Sequence, residues 1–178
     1  MSEQNIHILI IEDNPGDIGL IREFLNDSGA ITFHLSEAST LKVGIAVSKQ
    51  QSFDIILLDL SLPDSKGLKT LAKVKDACPG KPVIVLTGNI DLALGKKAIG
   101  EGAQDYLIKG KIDSDILIRA IEYSIQRFGL ESRIIESEAQ YHALIDLSPN
   151  AIVILDKETI QFINKNISFS SKPYPADS

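Results

Sequence analysis

The chain has 178 residues, of which 44% are hydrophobic and 24% charged, with a net charge of −6. That length allows one domain of about 120–150 residues plus an appendage, and the acidic balance argues against a general nucleic-acid binder, which would carry a basic face. One cysteine, Cys78, excludes an internal disulfide framework; the start MSEQN lacks the features of a secretion signal, and no apolar run approaches the ~18–20 residues that span a bilayer, so the expected location is the cytoplasm, with no membrane partner.

The first two-thirds of the chain alternates short apolar runs with helix-period segments. IHILII (6–11) reads as a buried strand, followed by a helix in NPGDIGLIREFLNDSG that Asn14 caps, Pro15 opens and Gly29 ends. TFHLSEA reads as a second strand. TLKVGIAVSKQ reads as a helix that turns Leu41, Ile45 and Val47 inward. DIILLDL is a third strand, SKGLKTLAKVKDACPG a helix stopped at Pro79-Gly80, PVIVLTG a fourth strand, DLALGKKAIGEG a helix, and QDYLIKG a fifth strand. Residues 6–11, 55–58 and 83–86 are continuously apolar, which marks a parallel sheet covered on both faces. The expected fold is therefore α/β and doubly wound, with right-handed crossovers.

A long helix is expected from Asp113, with Leu117, Ile121, Ile125 and Phe128 on the sheet and Gly129 as its one possible break. A 3-4 seam runs through Ile116, Ala120, Tyr123, Arg127, Leu130, Ile134, Ser137, Tyr141 and Leu144, the pattern of a coiled-coil stripe. The boundaries expected are 1–128 for the domain, 129–147 for a linker helix and 148–178 for a hairpin around DKET followed by a polar tail.

In open α/β sheets, ligands bind beyond the carboxyl ends of the strands. Five polar groups follow the strands there: Glu12 and Asp13 after the first, Asp59 after the third, Thr87 after the fourth and Lys109 after the fifth. Three carboxylates at one point repel unless a cation joins them, and oxygen donors without His or Cys select Mg²⁺ or Mn²⁺. A lysine and a hydroxyl beside them imply an anion. Together they suit a phosphoryl group carried on one carboxylate. Asp59 alone would read as a turn or cap residue, Thr87 as a cap and Lys109 as a solvated lysine; the matched set reverses those readings.

ILIIEDNPGD, IILLDLSLPDSKGL, VIVLTG and GAQDYLIKG resemble, in that order, the receiver domain of two-component response regulators (CheY-like) over residues ~5–128. The resemblance implies a flavodoxin-like sheet of five parallel strands in order 2-1-3-4-5, with five helices. It implies that Asp59 is the phosphoacceptor, that Glu12, Asp13, Asp59 and the backbone carbonyl of Ser61 hold Mg²⁺, and that Thr87 and Lys109 engage the phosphoryl oxygens. Tyr106 stands where the family keeps an aromatic switch coupled to Thr87. The donor would be a histidine kinase or phosphotransfer protein, or a small acyl phosphate. The chain would be no enzyme beyond assisting its own phosphorylation and dephosphorylation, and could form a homodimer through helix 4, strand 5 and helix 5 or through the extended helix. The family usually has proline after the lysine, often with a cis bond; here Gly110 follows, so the turn is either held cis by the site or trans, with helix five entering differently. YHALIDLSPNAIVILDKETIQFINKN looks like the opening of a PAS sensor domain, too short to complete its pocket.

Three other functions share parts of this pattern. A receiver-like scaffold would bind partners without phosphorylation, which an intact site disfavours. A haloacid-dehalogenase-type hydrolase wants an acid two residues after the nucleophile, where this chain has Ser61. A dinucleotide enzyme wants a glycine-rich loop after the first strand, where this chain has EDNPGD.

Overall fold

The computed structural model describes residues 4–26, 31–88, 92–147, 153–156 and 159–163. Strands β1 (Gln4–Ile11), β2 (Ile31–Ala38), β3 (Ile55–Asp59), β4 (Val83–Thr87) and β5 (Asp105–Ile108) form one sheet in the order β2-β1-β3-β4-β5. All four neighbouring pairs are parallel. Helices α1 (Pro15–Asn26), α2 (Leu41–Ser48), α3 (Leu68–Ala77) and α4 (Leu92–Gly100) connect them, and α5 (Ser114–Leu147) follows β5. This is the doubly wound α/β architecture expected from the alternating apolar runs.

The unbroken apolar character of the inner strands follows from having a core on each side. Ile6, Ile8, Ile10, Ile55, Leu57, Ile84 and Leu86 pack with Ile18, Ile21 and Leu25 of α1 and Leu117 and Ile121 of α5. Their neighbours Leu9, Ile11, Ile56, Leu58, Val83 and Val85 face the other way, onto Leu41, Leu71, Val74 and Ala98. Each such side chain contributes about 1.5–3 kcal/mol of hydrophobic stabilisation. On α2, Leu41 and Gly44 are buried while Ile45 and Val47 are half-buried against the same core. Asn14 caps α1 as expected, its side-chain oxygen accepting from Gly16 N at 2.9 Å. The end of α1 near Gly29 lies outside the described residues.

The third helix begins later than its apolar pattern suggests. Ser65–Lys66 pairs antiparallel with Ser61–Leu62, and α3 starts only at Leu68. The reason is Gly67, at φ 71° and ψ −162°, a conformation essentially reserved for glycine and incompatible with helix.

Helix α5 runs unbroken through Gly129 to Leu147, the single glycine costing only about 1 kcal/mol against good helix formers on both sides. Leu117 and Ile121 are buried as expected; Ile125 and Phe128 are half-buried. The first half of the 3-4 seam is not a free stripe, because Ala120 joins the core and Arg127 donates to the Gln104 carbonyl at 2.7 Å. The chain divides into two compact units, Met1–Leu130 and Glu131–Ser178. In the second, β6 (Val153–Asp156) pairs antiparallel with β7 (Thr159–Ile163), the two strands expected there. The centre of the DKET turn and the polar tail lie outside the described residues. Among the described residues, no helix is long and apolar enough to cross a membrane.

Candidate functional site

Beyond the carboxyl ends of β1 and β3, the chain brings three carboxylates together. Glu12, Asp13 and Asp59 each offer an oxygen within 4.8 Å of the others. Glu12 has no exposed surface and Asp59 is 5% exposed, whereas Asp13 faces solvent. An all-oxygen set of this size fits a hard divalent cation such as Mg²⁺, with the open side of Asp13 leaving room for its waters. Asp59 Oδ1 accepts from Ser61 N at 3.0 Å, which fixes the carboxylate's plane.

Lys109 closes the site. The sequence placed it on an anion's side of the crevice; the structure puts its ammonium among the acids, with Nζ 2.8 Å from Asp59, 2.5 Å from Glu12 and 3.0 Å from Asp17. Burial pushes the Glu12 carboxyl above the ordinary glutamate range; the Asp59 charge adds to this, and Lys109 and the Asn14 amide oppose it. For Lys109 burial works against the charge, but hydrogen bonds to Asp59, Glu12 and Asp17 outweigh it and hold the ammonium's pKa above its usual range. Its stabilising contribution is therefore complete below about pH 10.4, the unfolded value, and disappears only as pH climbs through the higher folded value.

Asp17 was missed by sequence reasoning. An acid in the first turn of a helix ordinarily complements the helix dipole. Its signal was its place four residues after Asp13, on the same loop-to-helix entry. Thr87, at the end of β4, is 6% exposed, and its carbonyl accepts from Lys109 N at 2.8 Å. The question left at Gly110 is settled by the backbone. The described residues contain no cis peptide, and Gly110 turns the chain with φ 81°, a value glycine adopts without strain.

The segment after Asp59 is anchored on its far side. Gly67 N donates to Leu60 O at 2.7 Å, and the Ser61–Lys66 ladder closes the loop between. At its tip, the Asp64 carboxylate accepts from Leu41 N and Lys42 N, both at 2.9 Å, capping α2 from 22 to 23 residues away. Thr40 completes that cap by accepting from Val43 N at 3.2 Å. The backbone amides, first that of Lys42, hold the Asp64 carboxyl below the usual aspartate range. Because the folded value is the lower one, this contribution is present above about pH 4 and fades as pH falls through the folded value. Asp64→Ala is expected to cost about 1 kcal/mol at pH 7, the usual worth of an N-cap. Urea titrations at pH 7 and pH 3 should show that difference shrinking in acid; a difference independent of pH would remove the cap from the explanation.

Tyr106, in the middle of β5, is half-buried, and its ring lies against Gly95 of α4. A Cβ at Gly95 would collide with the ring carbons. Gly95→Ala is thus expected to push Tyr106 into another rotamer, read as a shift in its ring resonances by NMR; an unmoved ring would show that α4 yields instead.

The comparisons agree with this geometry. The family model of the response regulator receiver domain matches residues 8–122. The chain is 26% identical over 157 residues to the transcriptional regulatory protein GlrR of Escherichia coli, covering 88% of this chain and 34% of that relative, about a third of its length. It matches the crystal structure of a response regulator receiver domain protein from Clostridium thermocellum with TM-score 0.61 and 30% identity, over 70% of this chain and 98% of that one. It also matches the solution structure of the beryllofluoride-activated NtrC4 receiver domain dimer with TM-score 0.61 and 25% identity, over 68% and 98% of the two chains. With the five-stranded order, the acidic cluster and the lysine in place, residues 8–122 make this chain a member of the response regulator receiver domain family.

Proposed function

We propose that the chain accepts a phosphoryl group on Asp59 from a histidine kinase or phosphotransfer protein. The observation that carries this is the Lys109 ammonium 2.8 Å from an Asp59 carboxylate that shares a cluster with Glu12 and Asp13. An Asp59 oxygen attacks phosphorus, the phosphorus–nitrogen bond of the donor imidazole breaks, and the ring leaves with its electron pair and takes a proton from water. Glu12, Asp13, Asp59 and the Ser61 carbonyl would hold Mg²⁺, which supplies charge neutralisation for the incoming oxygens. Lys109 exchanges its carboxylate partners for the phosphoryl group. The Thr87 hydroxyl donates to another phosphoryl oxygen, and Tyr106 follows Thr87, altering the surface of α4, β5 and α5. A homodimer through that surface or through the extension of α5 is the partner we favour besides the kinase. The piece from Tyr141 onward resembles the start of a PAS domain, so the receiver would sit ahead of a sensor module.

Acetyl phosphate with Mg²⁺ is expected to add one phosphoryl group to the intact protein by mass spectrometry. The gain should vanish in Asp59→Asn and when EDTA replaces Mg²⁺. An unchanged wild-type mass, under conditions that label a control receiver, would overturn the proposal in favour of a binding scaffold.

A further inference from the structure

The first half of β1 carries a second group of metal-ligating side chains, toward the amino end of the sheet and away from Asp59. His7 of β1 and His34 of β2 are partners in the parallel ladder, so their side chains leave the same face of the sheet side by side. Their rings stack with centroids 4.7 Å apart and planes 20° from parallel, and both residues are exposed. Asn5, two positions before His7 on that face, holds its side-chain oxygen 3.3 Å from His34 Nε2. The backbone of His7 is fixed from its other side: its N–H donates to Asp54 Oδ2 at 2.7 Å, and its carbonyl accepts from Asp54 N at 2.8 Å.

We propose that His7 and His34 chelate a transition-metal ion of the Zn²⁺ class, with the Asn5 side-chain oxygen as third donor and water completing the shell. Neutral imidazole is the commonest side-chain ligand for such ions. It selects Zn²⁺, Cu²⁺ or Ni²⁺, whereas the all-oxygen cluster at Asp59 suits hard cations. A tetrahedral ion bound at ~2.0–2.1 Å needs its donors about 3.3 Å apart. The Asn5 oxygen and His34 Nε2 already have that spacing, and the exposed His7 ring reaches it by tilting toward His34, a rotation open to a surface side chain. Among the described residues, no cysteine, carboxylate or third histidine completes a three-residue group with the pair, so the site is weaker than a four-ligand structural zinc centre. β2 is an edge strand paired only with β1, and the ion would fasten the two across the α1 connection. His7 stands five positions before Glu12, about 16 Å along an extended strand and beyond the screening length of about 8–10 Å. The inference does not rest on phosphorylation of Asp59.

The test titrates Zn²⁺ into the full chain in excess Mg²⁺, which competes for oxygen-only sites, while NMR follows the ring protons of the histidines. The His7 and His34 resonances are expected to move together and saturate at one equivalent, whereas the exposed His142 of α5 needs about tenfold more Zn²⁺. His7→Gln and His34→Gln should each weaken binding about tenfold or more. Each should also abolish the rise in melting temperature that Zn²⁺ gives the native chain, and Cys78→Ala should change neither result. Asn5→Ala should weaken binding by a smaller factor; unchanged binding there would strike the third donor. Independent shifts of the two rings, a response of His142 at the same Zn²⁺ concentration, or undiminished binding in His34→Gln would overturn the site.

Discussion

Removing Lys109 with Mg²⁺ absent is expected to produce the largest stability loss of any single substitution at the site. In EDTA at pH 7, Lys109→Ala should lose about 3 kcal/mol, at the lower end of what breaking a buried ion pair costs. The truncation leaves Glu12, fully buried, and Asp59, nearly so, facing each other without a cation. One of them must then take up a proton or the fold must open. The loss should grow as pH rises from about 4 to 8, because buried Glu12, without the lysine that opposes its upward shift, binds its proton more tightly folded than unfolded. Mg²⁺ at about 100 times its dissociation constant would return about 2.7 kcal/mol by linkage if the three clustered carboxylates, which remain in this variant, hold it as proposed. Urea denaturation with EDTA or Mg²⁺ separates the two states. A variant as stable as the wild type in EDTA would show that the ammonium is not the counter-ion the geometry describes.

Gly110→Pro is the second large effect, and it runs against family habit. Proline is common at this point among receivers, so the substitution looks conservative on paper. Here the residue has φ 81° in a trans chain, whereas proline is held near −65°. The turn must be rebuilt, at a cost of at least about 1–3 kcal/mol. The loss should reach the site as well, because Lys109 is the preceding residue and its amide is tied to Thr87 O. Thermal denaturation gives the first part, and the rate of acetyl phosphate labelling the second. A variant that melts at or above the wild type would mean that the loop accepts the other geometry.

The sheet was legible because β1, β3 and β4 carry no polar residue over four or more positions, which a two-sided core demands and little else does. Glu12, Asp13 and Asp59 were legible because they follow such runs, and Lys109 because it follows the shorter apolar stretch that ends β5. What the pattern could not carry is backbone conformation and long-range capping. The Ser61–Lys66 ladder depends on one φ at Gly67, and a glycine in a sequence does not state its angle. Asp64 reads as a turn residue, since its partners on α2 are 22 and 23 positions away. Asp17 reads as a helix-dipole residue until Lys109 arrives from the other end of the domain. The seam on α5 was over-read at its start: periodicity placed Ala120 and Arg127 on one stripe, but the body of the domain had already claimed both.

The double cap on α2 has a mechanical consequence. On the α2 side of Asp59, the loop is held by two backbone ladder pairs, a glycine hydrogen bond and the Asp64 carboxylate. On the α4 side, Tyr106 rests on a helix that has a bare glycine at the point of touch. Moving the loop after Asp59 relative to α2 therefore means breaking these hydrogen bonds together, whereas moving Tyr106 means separating a ring from the glycine face it is closely packed on.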